Sequence, residues 1–452
     1  MKTFLSLFAF SLCILSALSQ DLTKDQVQES LTSLRDDIRT YNPALEDYNP
    51  NFDEQAVQII GSLDQGSYSI IEHFKLITEL STISNEGHFA LGSWSDSPHQ
   101  GFGNDTYKYL PLSIQILNGR IYLWNDYSNE NQLERGDEIM IINGKSSKEI
   151  ISQLIRYTPS DGNIVGYAHR SIQTSFNWMY YLYIDQSKTF EISYSKFRTG
   201  TESLVTIQPL TNSKLIANYQ LKNPTPEPKN ESVDDVYELE IQEKYAVLKL
   251  KTFYRQLLER YHLKSAKFYQ EVFESINDAG CSTLIIDLRN NNGGRKEFAN
   301  DLVPFIMQIE STDPYLRKSI SWSGKEKTSK LPKKNKNSFQ GKVVAIVNAS
   351  TFSAAGSVAR FLKEYANAIV VGQETGTRYE GFSGGSKQYV SIPYTDVKIG
   401  IPRYQTSFPK SKKQTTSNRG LIPDHIINYT IEDIINDRDL EMDFVIENYV
   451  KK

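Results

Sequence analysis

Two short, uninterrupted apolar runs constrain the fold most: Leu284-Ile285-Ile286 and Val343-Val344-Ala345-Ile346-Val347. Neither alternates with polar residues, so each reads as a strand covered on both faces, as parallel strands are. Each is followed by a turn of small and amide residues and then by a helical pattern, Phe298 to Ile309 after the first and Ser353 to Tyr365 after the second. With a strand at Tyr245 to Leu250, a helix at Ala266 to Ile276 and a strand at Ile369 to Val371, the part beyond Tyr237 carries the strand–helix alternation of an α/β domain.

The remainder is built differently. Val27, Leu31, Leu34 and Ile38 recur at helical spacing, and further helical stretches run from Glu54 to Leu63 and from Ser69 to Leu80. From Tyr107 to Pro159 short strands take over. They lead into LERGDEIMIINGKS at 133–146, a Gly-Asp turn, a strand, an Asn-Gly turn and then a helix through Ile155. That order of elements resembles a PDZ domain, whose sheet edge takes extended peptide ends. Residues 165–220 are expected to be strands rich in aromatics, and the Pro-rich stretch Asn223 to Pro228 a surface linker.

At 452 residues the chain has room for two or three domains. The net charge is −4, with no basic domain of the kind nucleic acid requires. Lys2 followed by the apolar Phe4 to Leu18, with Ala17-Leu18-Ser19 before Gln20, reads as a cleaved signal peptide, too short to span a bilayer. An exported protein, periplasmic or extracellular, is expected, with no integral span after cleavage. Removal of the leader would leave Cys281 alone, unable to form an internal disulfide. A lysine run from Lys325 to Lys336 reads as a solvated loop. There is no phosphate-binding loop, dinucleotide fingerprint or spaced Cys/His metal set, so no cofactor and no metal is expected.

Three local patterns carry chemistry. In LIIDLRNNNGG, 284–294, a buried strand ends in a Gly-Gly turn able to approach a ligand closely. In VNASTFSAAG, 347–356, Ser353 stands at the start of a helix among small residues, where unpaired N–H groups favour a developing oxyanion; its bland alternative is a simple N-cap. In SNEGHF, 84–89, His88 follows a glycine at the end of a helical stretch; alone it would be read as a surface histidine.

Taken in order, EGH at 86–88, the PDZ-like segment, DLRNNNGG at 287–294, TFSAAG at 351–356, GQETGT at 372–377 and GLIPD at 420–424 resemble the tail-specific, or C-terminal-processing, serine protease family over nearly the whole mature chain. The resemblance implies a crotonase-like ββα protease core at 236–452. Before it would come a signal peptide at 1–19, a helical region at 20–100, a PDZ-like domain at 101–165 and a β-rich connection at 166–235. It implies Ser353 as nucleophile, His88 as general base of the tricorn-type branch, and backbone N–H groups of Gly293 or Gly294 and of Ala354 as the oxyanion hole.

Departures accompany it. The lysine base of another branch is replaced by Arg378, which does not give up its proton. The glutamate that orients the histidine is replaced by Ser417, leaving Glu374 and Glu380 as candidates, and Gly356 stands where the family often has glutamate. The implied function is a secreted or periplasmic endopeptidase acting on polypeptides. The competing reading is an impaired relative that binds peptides or small ligands on the same scaffold.

Overall fold

The structure, a computed structural model, describes residues 21–92, 105–223 and 232–451. The expected signal peptide and nearly all of the Pro-rich linker lie outside these residues.

Three helices of ten or more residues open the fold: α1 (Lys24–Tyr41), α2 (Phe52–Gly61) and α3 (Ile70–Thr82). Thr23 caps α1 and Ser69 caps α3, each through a reciprocal capping box that satisfies otherwise orphaned N–H groups. Val27, Leu31, Leu34 and Ile38 are fully buried, as their spacing requires.

An antiparallel sheet follows, made of β1 (Leu112–Leu117), β2 (Arg120–Asp126), β3 (Glu138–Ile142), β4 (Phe190–Ser195) and β5 (Glu202–Ile207), neighbours in that order. Helices α4 (Ser147–Arg156) and α5 (Val165–Tyr183) cross between β3 and β4. The expectation of strands from residue 165 is therefore corrected over 165–183. Ala168, Ile172, Phe176, Met179, Tyr180 and Tyr183 recur at helical spacing and are buried, and that period outweighs the strand preference of the aromatics between them.

The second half is built on a mixed sheet in the order β6 (Tyr237–Ile241), β7 (Tyr245–Leu250), β8 (Thr283–Asp287), β11 (Lys342–Val347), β12 (Ile369–Gly372) and β15 (His425–Ile426). All its pairings after β6 are parallel. Helix α6 (Ser265–Asp278) precedes β8, α7 (Lys296–Asn300) follows it, and α8 (Ala354–Tyr365) follows β11. The single helix expected over Phe298 to Ile309 is instead the short α7 and a second turn at Val303–Ile306.

Beside this stands a four-stranded antiparallel sheet, β10 (Glu326–Ser329), β9 (Arg317–Ser321), β14 (Lys398–Ser407) and β13 (Gly381–Ser391). The β13–β14 hairpin joins the two halves. Val390, Ile392, Val397, Ile399 and Ile401 pack into the core of the N-terminal helices and first sheet, while Phe382 and Phe408 at the hairpin's base belong to the core around α8. Each fully buried side chain of this size contributes about 1.5–3 kcal/mol, which makes the hairpin a firm clasp. Among the described residues no helix is long and apolar enough to cross a membrane.

Candidate active site

Strands β8 and β11 are parallel neighbours, with Asp287 opposite Ile346, so the turns leaving their carboxyl ends must meet. In open α/β sheets that edge is where ligands bind. Asn348 Oδ1 accepts the N–H of Asn290 at 3.0 Å, Thr351 Oγ1 donates to the Leu288 carbonyl at 2.9 Å, and the Phe352 N–H donates to the Asn291 carbonyl at 3.0 Å. Arg289 is held away from the site by Asp287 at 2.8 Å and Asp439 at 2.6 Å.

Ser353 emerges from this stitching at the N-terminus of α8 with φ 56° and ψ −120°. A serine in that region costs on the order of 1–3 kcal/mol and persists only where its surroundings over-determine it. Its N–H donates to Thr377 Oγ1, and its side chain makes no capping hydrogen bond, which removes the simple N-cap reading. Gly356, the departure in the TFSAAG turn, has a local reason. A Cβ there would lie 2.7 Å from Thr377 Cβ, the side chain that holds Ser353.

The glycine turn lies against Ser353. At Gly293, with φ +86°, a Cβ would sit 2.7 Å from the Ala354 nitrogen and 2.8 Å from Ser353 Cβ. The Gly293 N–H donates to Asn291 Oδ1 at 2.9 Å, and Asn291 is fixed in turn by the Leu250 carbonyl at 2.8 Å. Among the described residues, no hydrogen bond uses the N–H of Gly294 or of Ala354.

His88 arrives from the other half of the molecule. Ala90 and Gly400 exchange two backbone hydrogen bonds of 2.9 Å, pinning the turn after α3 onto β14. The imidazole stacks on Phe352, the residue before Ser353, at 4.4 Å between centroids, and on Phe382 at 5.3 Å. Both ring nitrogens are buried and without a hydrogen-bond partner, and none joins the ring to the Ser353 hydroxyl. Burial, reinforced by Lys387, pulls the imidazole down to about 3, so it is neutral over the working range.

Neither carboxylate singled out in the sequence stands out behind that ring. Glu374 is engaged by Arg419 at 2.6 Å and by the Gly420 N–H at 2.8 Å. Glu380 accepts the Asn418 N–H at 2.6 Å through one oxygen, and its other oxygen is buried without a partner. The carboxylates grouped with His88 are Glu86 and Asp161, whose donor atoms and those of the ring all lie within 4.8 Å of one another. Glu86 accepts from Ser383 Oγ, and Asp161 accepts the Gly87 N–H at 2.7 Å.

Arg378, at the position of the lost lysine, is the counter-charge of this group. Its N–H donates to Asp161 at 3.3 Å, its Nη2 to the Asn85 carbonyl at 2.6 Å, and its guanidinium lies 3.7 Å over the Tyr48 ring. Burial raises both carboxyls above their ordinary range, their mutual repulsion raises Glu86 further, and Arg378 opposes the shift in each. The three donors could surround a metal ion, but the guanidinium already supplies the positive charge that such an ion would bring. Sequence reasoning missed both acids, although Glu86 lay inside the EGH pattern and Asp161 in an Asp-Gly turn.

Ser353 and Ala354 open on a cavity of about 760 Å³ bounded by α7, β9 and the β13–β14 hairpin. Residues 244–427 match the family model described as peptidase family S41. The chain superposes on mature CPAF complexed with lactacystin with a TM-score of 0.67 at 13% identity, covering 94% of this chain and 97% of that one. For mature CPAF the TM-score is 0.63 at 12% identity, covering 91% and 94%. At such identities the likeness shows a shared fold. A search of curated proteins found no match. Residues 244–427, then, match peptidase family S41, and with the shared fold this match supports a serine-type peptidase.

Proposed function

We propose that the protein is an exported endopeptidase in which Ser353 attacks a peptide carbonyl and His88 is the base. The observation that carries this reading is Ser353 itself, held in a strained conformation at a helix tip, its hydroxyl not used as a cap, facing a cavity beside two free N–H groups.

The chemistry follows from those positions. As Ser353 Oγ bonds to the carbonyl carbon, its proton passes to a neutral His88 nitrogen. The N–H groups of Gly294 and Ala354 hold the oxyanion, since that of Gly293 is already engaged by Asn291. Collapse breaks the carbon–nitrogen bond, His88 returns the proton to the leaving amine, and water hydrolyses the acyl-enzyme by the same route. Asp161 and Glu86 orient the imidazole and balance its charge when it is protonated.

We read the core as crotonase-like and the sheet of β1–β5 with α4 and α5 as PDZ-like, presenting a polypeptide end to the cleft by strand addition. Export rests on Lys2 and the apolar run from Phe4 to Leu18. The test is labelling by a fluorophosphonate probe together with cleavage of an unfolded protein. Both are expected in the native chain, lost in Ser353→Ala and strongly reduced in His88→Ala. Labelling that survives Ser353→Ala would refute the assignment, and labelling unchanged in His88→Ala would refute the base.

A further inference from the structure

The cavity beside Ser353 has an unbalanced wall. Six cationic side chains line it, Arg295, Lys296, Arg317, Lys325, Lys327 and Arg403, against a single carboxylate, Glu297, which is engaged by Arg295 at 3.3 Å. Arg317 is only 6% exposed, and its guanidinium donates to the Thr406 hydroxyl at 3.2 Å. No ion pair of Arg317 is present among the described residues. Arg403 also lines the cavity; its Nε is buried without a partner and its guanidinium lies 5.7 Å from the Trp322 ring centroid. Burial lowers the Arg317 guanidinium to about 10 against the weaker opposing attraction of Glu297, and burial and Arg317 together lower the Lys296 ammonium, which Glu297 likewise opposes.

A buried cation without a counter-charge is costly unless an anion answers it. The fork of a guanidinium matches a planar carboxylate. A peptidase that holds a polypeptide on Ser353 brings such groups into this cavity as acidic side chains or as the chain's own terminus. Lys325 and Lys327, read from sequence as part of a solvated loop, stand at its rim on and beside β10.

We propose that this cavity is a carboxylate-binding subsite that selects substrates carrying a negative charge close to the scissile bond. The proposal rests on the peptidase reading of Ser353 and adds the substrate class.

The test reads binding without turnover. The full chain carrying Ser353→Ala is titrated, by fluorescence anisotropy, with short labelled peptides in pairs. Each pair differs by Glu or Gln at one scanned position, and each is made with a free and an amidated C-terminus. At one position the Glu peptide is expected to bind about tenfold or more tightly than its Gln twin. The difference is expected to shrink with added salt and in the Arg317→Gln and Lys325→Gln/Lys327→Gln variants; the latter pair is exposed and leaves the core intact. A preference that follows the free terminus instead assigns the subsite to the α-carboxylate. Equal binding within every pair, or a preference unchanged in both variants, overturns the proposal. Fluorophosphonate labelling of native Ser353 is scored separately, so loss of the charge preference with labelling intact removes the subsite alone, and the reverse outcome removes the mechanism alone.

Discussion

Two charged regions flank Ser353, and they are built on opposite principles. Behind His88, Glu86 and Asp161 are buried with Arg378 among them, and backbone groups satisfy much of what remains. On the open side, six cations face one already engaged carboxylate. The first region carries a cation of its own among the acids and is suited to positioning; the second is answered only by something that enters and therefore selects. Burial alone does not separate a structural charge from a binding charge. The presence of an internal partner does.

Breaking the balance in the closed region should have the largest effect. Arg378→Met leaves two buried acids without their cation and is expected to cost about 3–5 kcal/mol of stability, with partial recovery when Glu86→Gln is added, read by urea denaturation. Next comes Gly293→Ala, whose Cβ has no room beside Ser353 and Ala354. Pushing the turn off the Ala354 nitrogen displaces the neighbouring Gly294 and Ala354 donors, so kcat/KM is expected to fall by about 10²–10³, in material shown by circular dichroism to be folded.

Titration sharpens the comparison further. His88 and His73 are held down to about 3 and about 4 by burial, so below pH 6.5 the unfolded chain binds more protons at these positions and stability falls as pH drops toward those values. Glu86 and Asp161 are shifted upward, so above the ordinary carboxylate range the folded chain holds more protons there and their contribution is lost as pH rises. Thermal melts across pH should therefore show losses on both sides of a maximum, with a shallower acid limb in His73→Phe. The acid limb of kcat/KM should lie well below the ordinary imidazole range, because His88 stays neutral there. The smallest effect belongs to the open region: Lys325→Gln/Lys327→Gln should change stability by no more than about 0.5 kcal/mol, checked by the same denaturation. A large loss there would mean that the rim lysines are structural and that the two regions do not differ as described.

Local order was legible in the sequence wherever one element sufficed to specify it. The runs at 284–286 and 343–347 read as buried strands because nothing polar interrupts them, and the turns after them were visible in their amides and glycines. The helix at 165–183 was misread because its tyrosines and phenylalanines carry strand preference, while its buried period shows only over several turns. Glu374 and Glu380 were attractive for their place in a motif, yet they face Arg419 and Asn418. Glu86 and Asp161 had no local signal of their role, because burial and partners give it to them.

The sequence by itself determined the strands, the small-residue turns that end them and the types of residue able to act there, since those depend on neighbours along the chain. Only the tertiary structure decided which of them meet. Arg378 donates to a carbonyl 293 positions away, and His88 is set beside Phe352 by a hairpin that clasps both cores. Charge balance is a sum over groups brought within a few ångströms by folding, so neither the closed acidic cluster nor the cationic cavity exists until the chain has closed around it.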